Sequence, residues 1–139
     1  MLGTQAAGQA GAGTEGTAMT DVTNLVDGYI AAWNETDAGA RAKKIAEVFV
    51  EQIEYTDPLA SVRGHDELGA LIAGAQAQFA GLSFRLAGAP DAHHDVVRFT
   101  WELAAGDDEA LVVGFDVALI APDGRIGAVA GFLDKVPAM

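Results

Sequence analysis

Two carboxylates in this chain stand where a carboxylate is expensive. Asp57 ends the run Ile53-Glu54-Tyr55-Thr56, directly before Pro58, and Asp116 interrupts the apolar stretch from Leu111 to Ile120. Burying an ionised carboxylate costs several kcal/mol unless it is paired or protonated. Two of them in apolar strands point to a pocket that does acid–base work or binds a ligand. A carboxylate at a cavity mouth can take a proton alpha to a carbonyl, and does so better as burial lifts its pKa towards working pH. Each acid also has a plainer reading. Asp-Pro is a common strand-ending pair whose side chain bonds backbone amides. Asp116 can instead be salt-bridged to Arg98 or Arg85 from a neighbouring strand. A neutral donor and an arginine-paired acid have opposite pKa shifts, so the two readings of Asp116 are distinct.

The remaining candidates are ligand-contacting. Tyr29 and Trp33 share a helical stripe with Val22 and Val26, where core packing is the default and a hydroxyl reaching a cavity the functional alternative. Phe99 and Trp101 read as core or cavity wall. Arg98 is the basic candidate, and His65 is either a simple helix-start residue or a pocket-facing proton carrier. His93-His94-Asp95 invites a metal reading, but adjacent strand residues point to opposite faces, so no metal is expected. The glycines lack phosphate-cradling spacing, so nucleotide binding is unsupported, and no cofactor is expected.

The elements that must position these residues follow from periodicity. After Thr20 as N-cap, Val22, Leu25, Val26, Tyr29, Ile30 and Trp33 form one helical face. Asp37 caps a second helix with Ile45, Val48 and Phe49 as its stripe, leaving Arg41, Lys43 and Lys44 to solvent. Residues 52–57 read as a short strand. Gly64-His65-Asp66-Glu67 opens a third helix, striped by Leu68, Leu71, Ile72, Ala75 and Phe79 and ended by Gly81. Four strands and their turns follow, over residues 82–87, 94–103, 111–120 and 126–136. The strand 111–120 is apolar on both faces apart from Asp116, as expected of a central, doubly covered strand. The expected class is α+β: three N-terminal helices packed in a curved, mainly antiparallel sheet.

Composition bounds the partners. The 139 residues suffice for one domain, read as residues 20–139 behind a low-complexity tail over residues 1–19, with Met19 read as the natural start. A net charge of −12 repels phosphate backbones and anionic membranes, so neither nucleic acid nor membrane is expected. No run approaches the ~20 apolar residues that span a bilayer. With no cysteine and no signal-peptide pattern, the expected location is cytoplasmic.

Six short motifs in order carry a resemblance. They are Tyr29-Ile30-Ala31-Ala32-Trp33-Asn34, Tyr55-Thr56-Asp57-Pro58, Gly64-His65-Asp66-Glu67-Leu68, Gly114-Phe115-Asp116-Val117, Asp123-Gly124-Arg125-Ile126 and Gly131-Phe132-Leu133-Asp134. Over residues 20–136 the chain resembles the nuclear-transport-factor-2-like (NTF2-like) superfamily, in the branch of ketosteroid isomerases and SnoaL-like polyketide cyclases. The resemblance implies a cone-shaped fold and a small apolar or carbonyl-bearing ligand. It implies cofactor-independent proton transfer, with Asp57 as base, Asp116 as neutral oxyanion donor and Tyr29 as second donor. It also implies a homodimer through the outer face of the sheet, which the apolar outer side of residues 111–120 supports independently. Two rivals stay open: a non-catalytic ligand- or protein-binding domain, and water activation by Asp116 with an arginine, as in limonene-epoxide-hydrolase relatives. The segment Glu35 to Glu51 is longer than in the isomerases, and cavity aromatics are sparse.

Overall fold

A computed structural model describes residues 19–137, so the expected tail, apart from Met19, lies outside the described residues. Three helices, α1 (Met19–Asn34), α2 (Ala38–Val48) and α3 (Gly64–Gln78), come early in the chain. Six strands follow the order β1 (Phe49–Thr56), β2 (Ser61–Arg63), β3 (Ser83–His93), β4 (Val96–Ala104), β5 (Val112–Ile120) and β6 (Ile126–Lys135). They form one sheet in the order β2-β1-β6-β5-β4-β3. Every neighbouring pair is antiparallel except β1 and β6, which run parallel. Register shifts between Ala87 and Asp91 in β3·β4, and at two points in β5·β6, bend the sheet around the helices. The α+β layering expected from the residue pattern is the observed architecture.

The core is where the two periodicities meet. Val22, Val26, Tyr29 and Trp33 recur at helical spacing on α1 and are all buried. They meet Ile45 and Val48 of α2, Leu68 and Ile72 of α3, and the inward residues Ile53, Tyr55, Val97, Phe99, Ala118 and Val129 of the sheet. Asp37 caps α2 as expected, its Oδ2 accepting from the Ala40 amide at 2.8 Å. That bond contributes about 1 kcal/mol.

Several boundaries differ from the sequence reading. Thr20 lies inside the first turn of α1 instead of capping it. Phe49 starts β1, three residues before the expected strand, and is fully buried there. A buried apolar residue at a helix–strand junction satisfies either period, so pattern alone misplaces it. β2 was not foreseen, because three residues are too few to show an alternation. Arg41, expected in solvent, is buried and donates through Nη1 to the Glu35 carbonyl at 2.9 Å and Gln76 Oε1 at 3.1 Å. Its long stem covers apolar surface while its head ties the end of α1 to α3.

Candidate active site

Sheet register brings the two acids together. Asp116 on β5 stands opposite Gly131 on β6. On the other side of β6, Thr56 of β1 stands opposite Ala130, which sets Asp57 beside the same glycine. A Cβ on Gly131 would lie 2.8 Å from Asp116 Oδ1 and 3.3 Å from Asp57 Cβ. Asp57, Gly131 and Asp116 thus form one row across the inner face of three adjacent strands, continued by Phe99 on β4.

Asp116 is 1% exposed. Its Oδ2 accepts from the Tyr29 hydroxyl at 2.6 Å, and its Oδ1 has no hydrogen-bond partner among the described residues. No lysine or arginine pairs with it; the ion pairs of the described residues lie elsewhere. Burial therefore pushes its carboxyl up to about 6; the Tyr29 hydroxyl and the polar edge of Trp101 oppose the rise, and the charge of Asp57 adds to it. Tyr29 is itself pushed well above its ordinary value, first by burial and then by the charge of Asp116, so its hydroxyl stays a donor.

Asp57 both serves the turn and borders the cavity. It is half-buried at the end of β1. Its Oδ1 accepts from the amides of Leu59 and Ala60 at 2.8 and 2.9 Å, as a turn aspartate does. Its Oδ2 accepts from the Tyr55 hydroxyl at 2.7 Å. A carboxylate offers about four acceptor positions, so the three bonds leave one for a ligand. Tyr55 was not among the residues singled out from the sequence, although the signal for its place on the cavity wall was available: residues two apart on a strand share a face, so Tyr55 and Asp57 both look inward. Burial, then the charges of Asp116 and Asp57, push the Tyr55 hydroxyl well up, and it too remains a donor.

Both acids border a cavity of about 220 Å³ between α1, the end of α3 and the sheet. That is smaller than the roughly 300–1,000 Å³ of sites for drug-sized ligands. Its walls are more aromatic than the sequence suggested. Trp33 packs on Tyr55 and Phe84 with ring centroids 5.6 and 5.4 Å apart, and Phe84 meets Trp101 edge-on at 5.3 Å. Trp101 lies flat across β5 because its cross-strand neighbour is Gly114; a Cβ there would sit 2.0 Å from the indole. The indole nitrogen of Trp33 is buried without a partner among the described residues. Exposed Leu59 and Val136 stand at the rim.

The other candidates fall elsewhere. Arg98 points from the outer face of β4, where it pairs with Asp91 at 3.3 Å, so it is not a ligand contact in this cavity. Arg85 is engaged with Glu102 at 2.8 Å, which removes both arginines offered as partners for Asp116. Strand alternation explains this: Val97, Phe99, Trp101 and Leu103 take the inner face, and Arg98 between them must turn outwards. His65 sits between α2 and α3 with Nε2 bonded to the Phe49 carbonyl at 2.9 Å, in a separate cleft. Phe99 is buried against Tyr29, centroids 5.0 Å apart, and supports that ring from behind the cavity surface. His93 ends β3, and His94 occupies the following turn with φ 50°, so the expected alternation does not apply there and the two rings meet at 5.7 Å. Among the described residues no group of three or more His, Cys, Asp or Glu side chains is placed to hold a metal ion.

The SnoaL-like domain family matches residues 26–129. The chain belongs to the SnoaL-like family. A candidate isomerase of that family from Agrobacterium tumefaciens is 37% identical, with 84% of this chain and 99% of that one covered and a TM-score of 0.79. A candidate polyketide cyclase from Sinorhizobium meliloti is 16% identical over 83% of this chain and 99% of that one, with a TM-score of 0.63. An epoxide hydrolase from Mycobacterium tuberculosis, related to the limonene enzymes, is 17% identical over 83% and 84%, with a TM-score of 0.59. These last two share the fold. No curated protein matches the chain. The NTF2-like cone inferred from the six motifs is the fold of this SnoaL-like domain. No described helix is long and apolar enough to cross a membrane.

Proposed function

We propose that this SnoaL-like domain is a cofactor-independent isomerase or cyclase that moves a proton on a compact carbonyl compound. Asp57 takes the proton from the carbon alpha to the carbonyl. The C–H electron pair becomes the enolate double bond, and the carbonyl oxygen accepts the hydrogen bond of protonated Asp116. Asp57 then returns its proton to a different carbon, which completes an isomerisation with no net gain or loss of atoms. The observation that carries this reading is the state of Asp116: 1% exposed, hydrogen-bonded to the Tyr29 phenol and, among the described residues, paired with no lysine or arginine. A carboxyl in that setting holds its proton up to about pH 6, so below that pH it can donate to a developing oxyanion, and preorganised donors of this kind are among the largest contributions to catalysis.

The hydrolytic alternative needs an arginine on Asp116, and Arg98 and Arg85 are occupied on the outer face. The family likeness supports a small-molecule ligand. The test is turnover of a β,γ-unsaturated cyclic ketone by the wild type and by Asp57→Asn. Loss of the base should cost about 10²–10⁴-fold in kcat. Turnover untouched by the substitution removes Asp57 from the mechanism, whereas binding without turnover in the wild type leaves a ligand-binding domain.

A further inference from the structure

Gly131 has no backbone reason to be glycine. It lies in the interior of β6, where glycine weakens a strand by roughly 0.5–1 kcal/mol relative to alanine. It is not among the residues of positive φ. The register of β5 and β6 runs unbroken through it, Val117 to Ala130, Asp116 to Gly131 and Phe115 to Phe132, so it forms no bulge. Glycine in a regular strand then marks a place where something must come close. Here the neighbours are the two acids, Asp116 Oδ1 at 2.8 Å and Asp57 Cβ at 3.3 Å from the position a Cβ would take. The first contact is shorter than real Cβ atoms show, and the atom in it belongs to a short, buried side chain with little room to retreat.

We propose that Gly131 is a positioning residue: its missing side chain lets Asp116 lean across β6 towards Asp57 and so sets the separation of the acid pair. The inference rests on the assignment of those two acids as the reacting groups and adds the element that holds them at working distance. Neighbouring strands lie ~4.8 Å apart, so the two acids flank a gap two strand spacings wide in the sheet. A methyl in the middle would press on Oδ1 at 2.8 Å. Oδ1 would then rotate away from the gap, and the carbonyl oxygen and alpha carbon of one substrate would no longer reach both acids together.

The test is Gly131→Ala with Gly127→Ala as control. Gly127 is in the same strand, and a Cβ there meets nothing closer than 3.6 Å. Both variants are first checked for folding by circular dichroism and thermal melting. Two readouts follow: kcat and KM on a β,γ-unsaturated cyclic ketone, and the titration midpoint of the Asp116 carboxyl by carbon-13 NMR, which needs no substrate. For Gly131→Ala the expected result is a kcat lowered at least tenfold with KM within threefold. The Asp116 midpoint should move by at least half a pH unit, while Gly127→Ala leaves both unchanged. A folded Gly131→Ala protein with wild-type kcat and an unmoved Asp116 midpoint overturns the inference. If Asp57→Asn is fully active, the assignment of the acids fails first. If Asp57→Asn is inactive while Gly131→Ala is normal, only the role of Gly131 falls. Should Gly131→Ala not fold, the double variant Gly131→Ala with Asp116→Ala decides it. Recovery of folding in the double variant, which lacks the carboxyl that the methyl would meet, locates the clash at Asp116, and failure to recover contradicts it.

Discussion

At the scale of single residues, the behaviour of Asp116 follows from what surrounds it. Its folded carboxyl, raised from 3.8 to about 6, binds its proton more tightly than in the unfolded chain. Such a group contributes stability that is fully present below about pH 4 and is lost as pH rises through about 6. Two pH units correspond to roughly 3 kcal/mol. Unfolding by denaturant at pH 4, 5, 6 and 7 should show that loss in the wild type, and Asp116→Asn, which has no proton to lose, should flatten it. A wild-type profile with no such slope would remove the buried, raised carboxyl. In catalysis the same proton matters with the same sign: kcat/KM reports the free enzyme and should fall as pH rises past about 6. Asn at 116 keeps a donor and should retain much of the activity, while Asp116→Leu should lose about 10²–10³-fold, as removal of an oxyanion-hole donor does. Tyr29→Phe takes away the hydroxyl that now holds the acid down, so the Asp116 midpoint should rise in that variant. An NMR titration showing it unchanged or lowered contradicts the assigned pairing.

At the scale of elements, two clasps hold the aromatic walls in place. Asn34, the last residue of α1, donates from Nδ2 to the Phe84 carbonyl and accepts at Oδ1 from the Phe84 amide, each at 2.8 Å. It serves β3 as a neighbouring strand would, and fixes Trp33 and Phe84 against each other. Gln76 of α3 donates to the carbonyls of Trp33 and Glu35, closing the end of the same helix. Asn34→Ala leaves two backbone groups of Phe84 unmet and should cost about 1–3 kcal/mol in a denaturant titration. A variant as stable as the wild type would show that water replaces the amide. These clasps also show what the sequence made legible. The inward stripe of α1, the alternation on β4 and the cap at Asp37 were readable, because each is local and periodic. The parallel placement of β1 beside β6 was not, since it depends on strands far apart in the chain. The gap at Gly131 and the indole over Gly114 were hidden for the same reason: a glycine gives no sign of which neighbour uses its space. Arg98 was misassigned because its type was weighed above its parity on the strand.

At the scale of the whole molecule, the cone has a covered inner face and an open outer one. Leu119 and Phe132 are 48% and 54% exposed on the outer side of β5 and β6, on the face that carries Phe115 and Val117. A second copy packed on this face is the expected cover, and it leaves the cavity mouth at Leu59 and Val136 open. Sedimentation should give a dimer at micromolar concentration, and Phe132→Glu should convert it to a monomer without loss of folding. A wild-type monomer would exclude that interface. With a net charge of −12 and no basic group on the cavity wall, the molecule disfavours anionic ligands, and neutral carbonyl compounds should outcompete carboxylates of equal size. All of this depends on the inner row of acids. Its most direct measurement is the carbon-13 NMR titration of the Asp116 carboxyl in the unliganded wild-type protein. A midpoint near 6 is the expected result. A midpoint at or below the ordinary carboxylate range would mean that Asp116 is solvated or paired with a cation, and the proton-transfer account would be wrong.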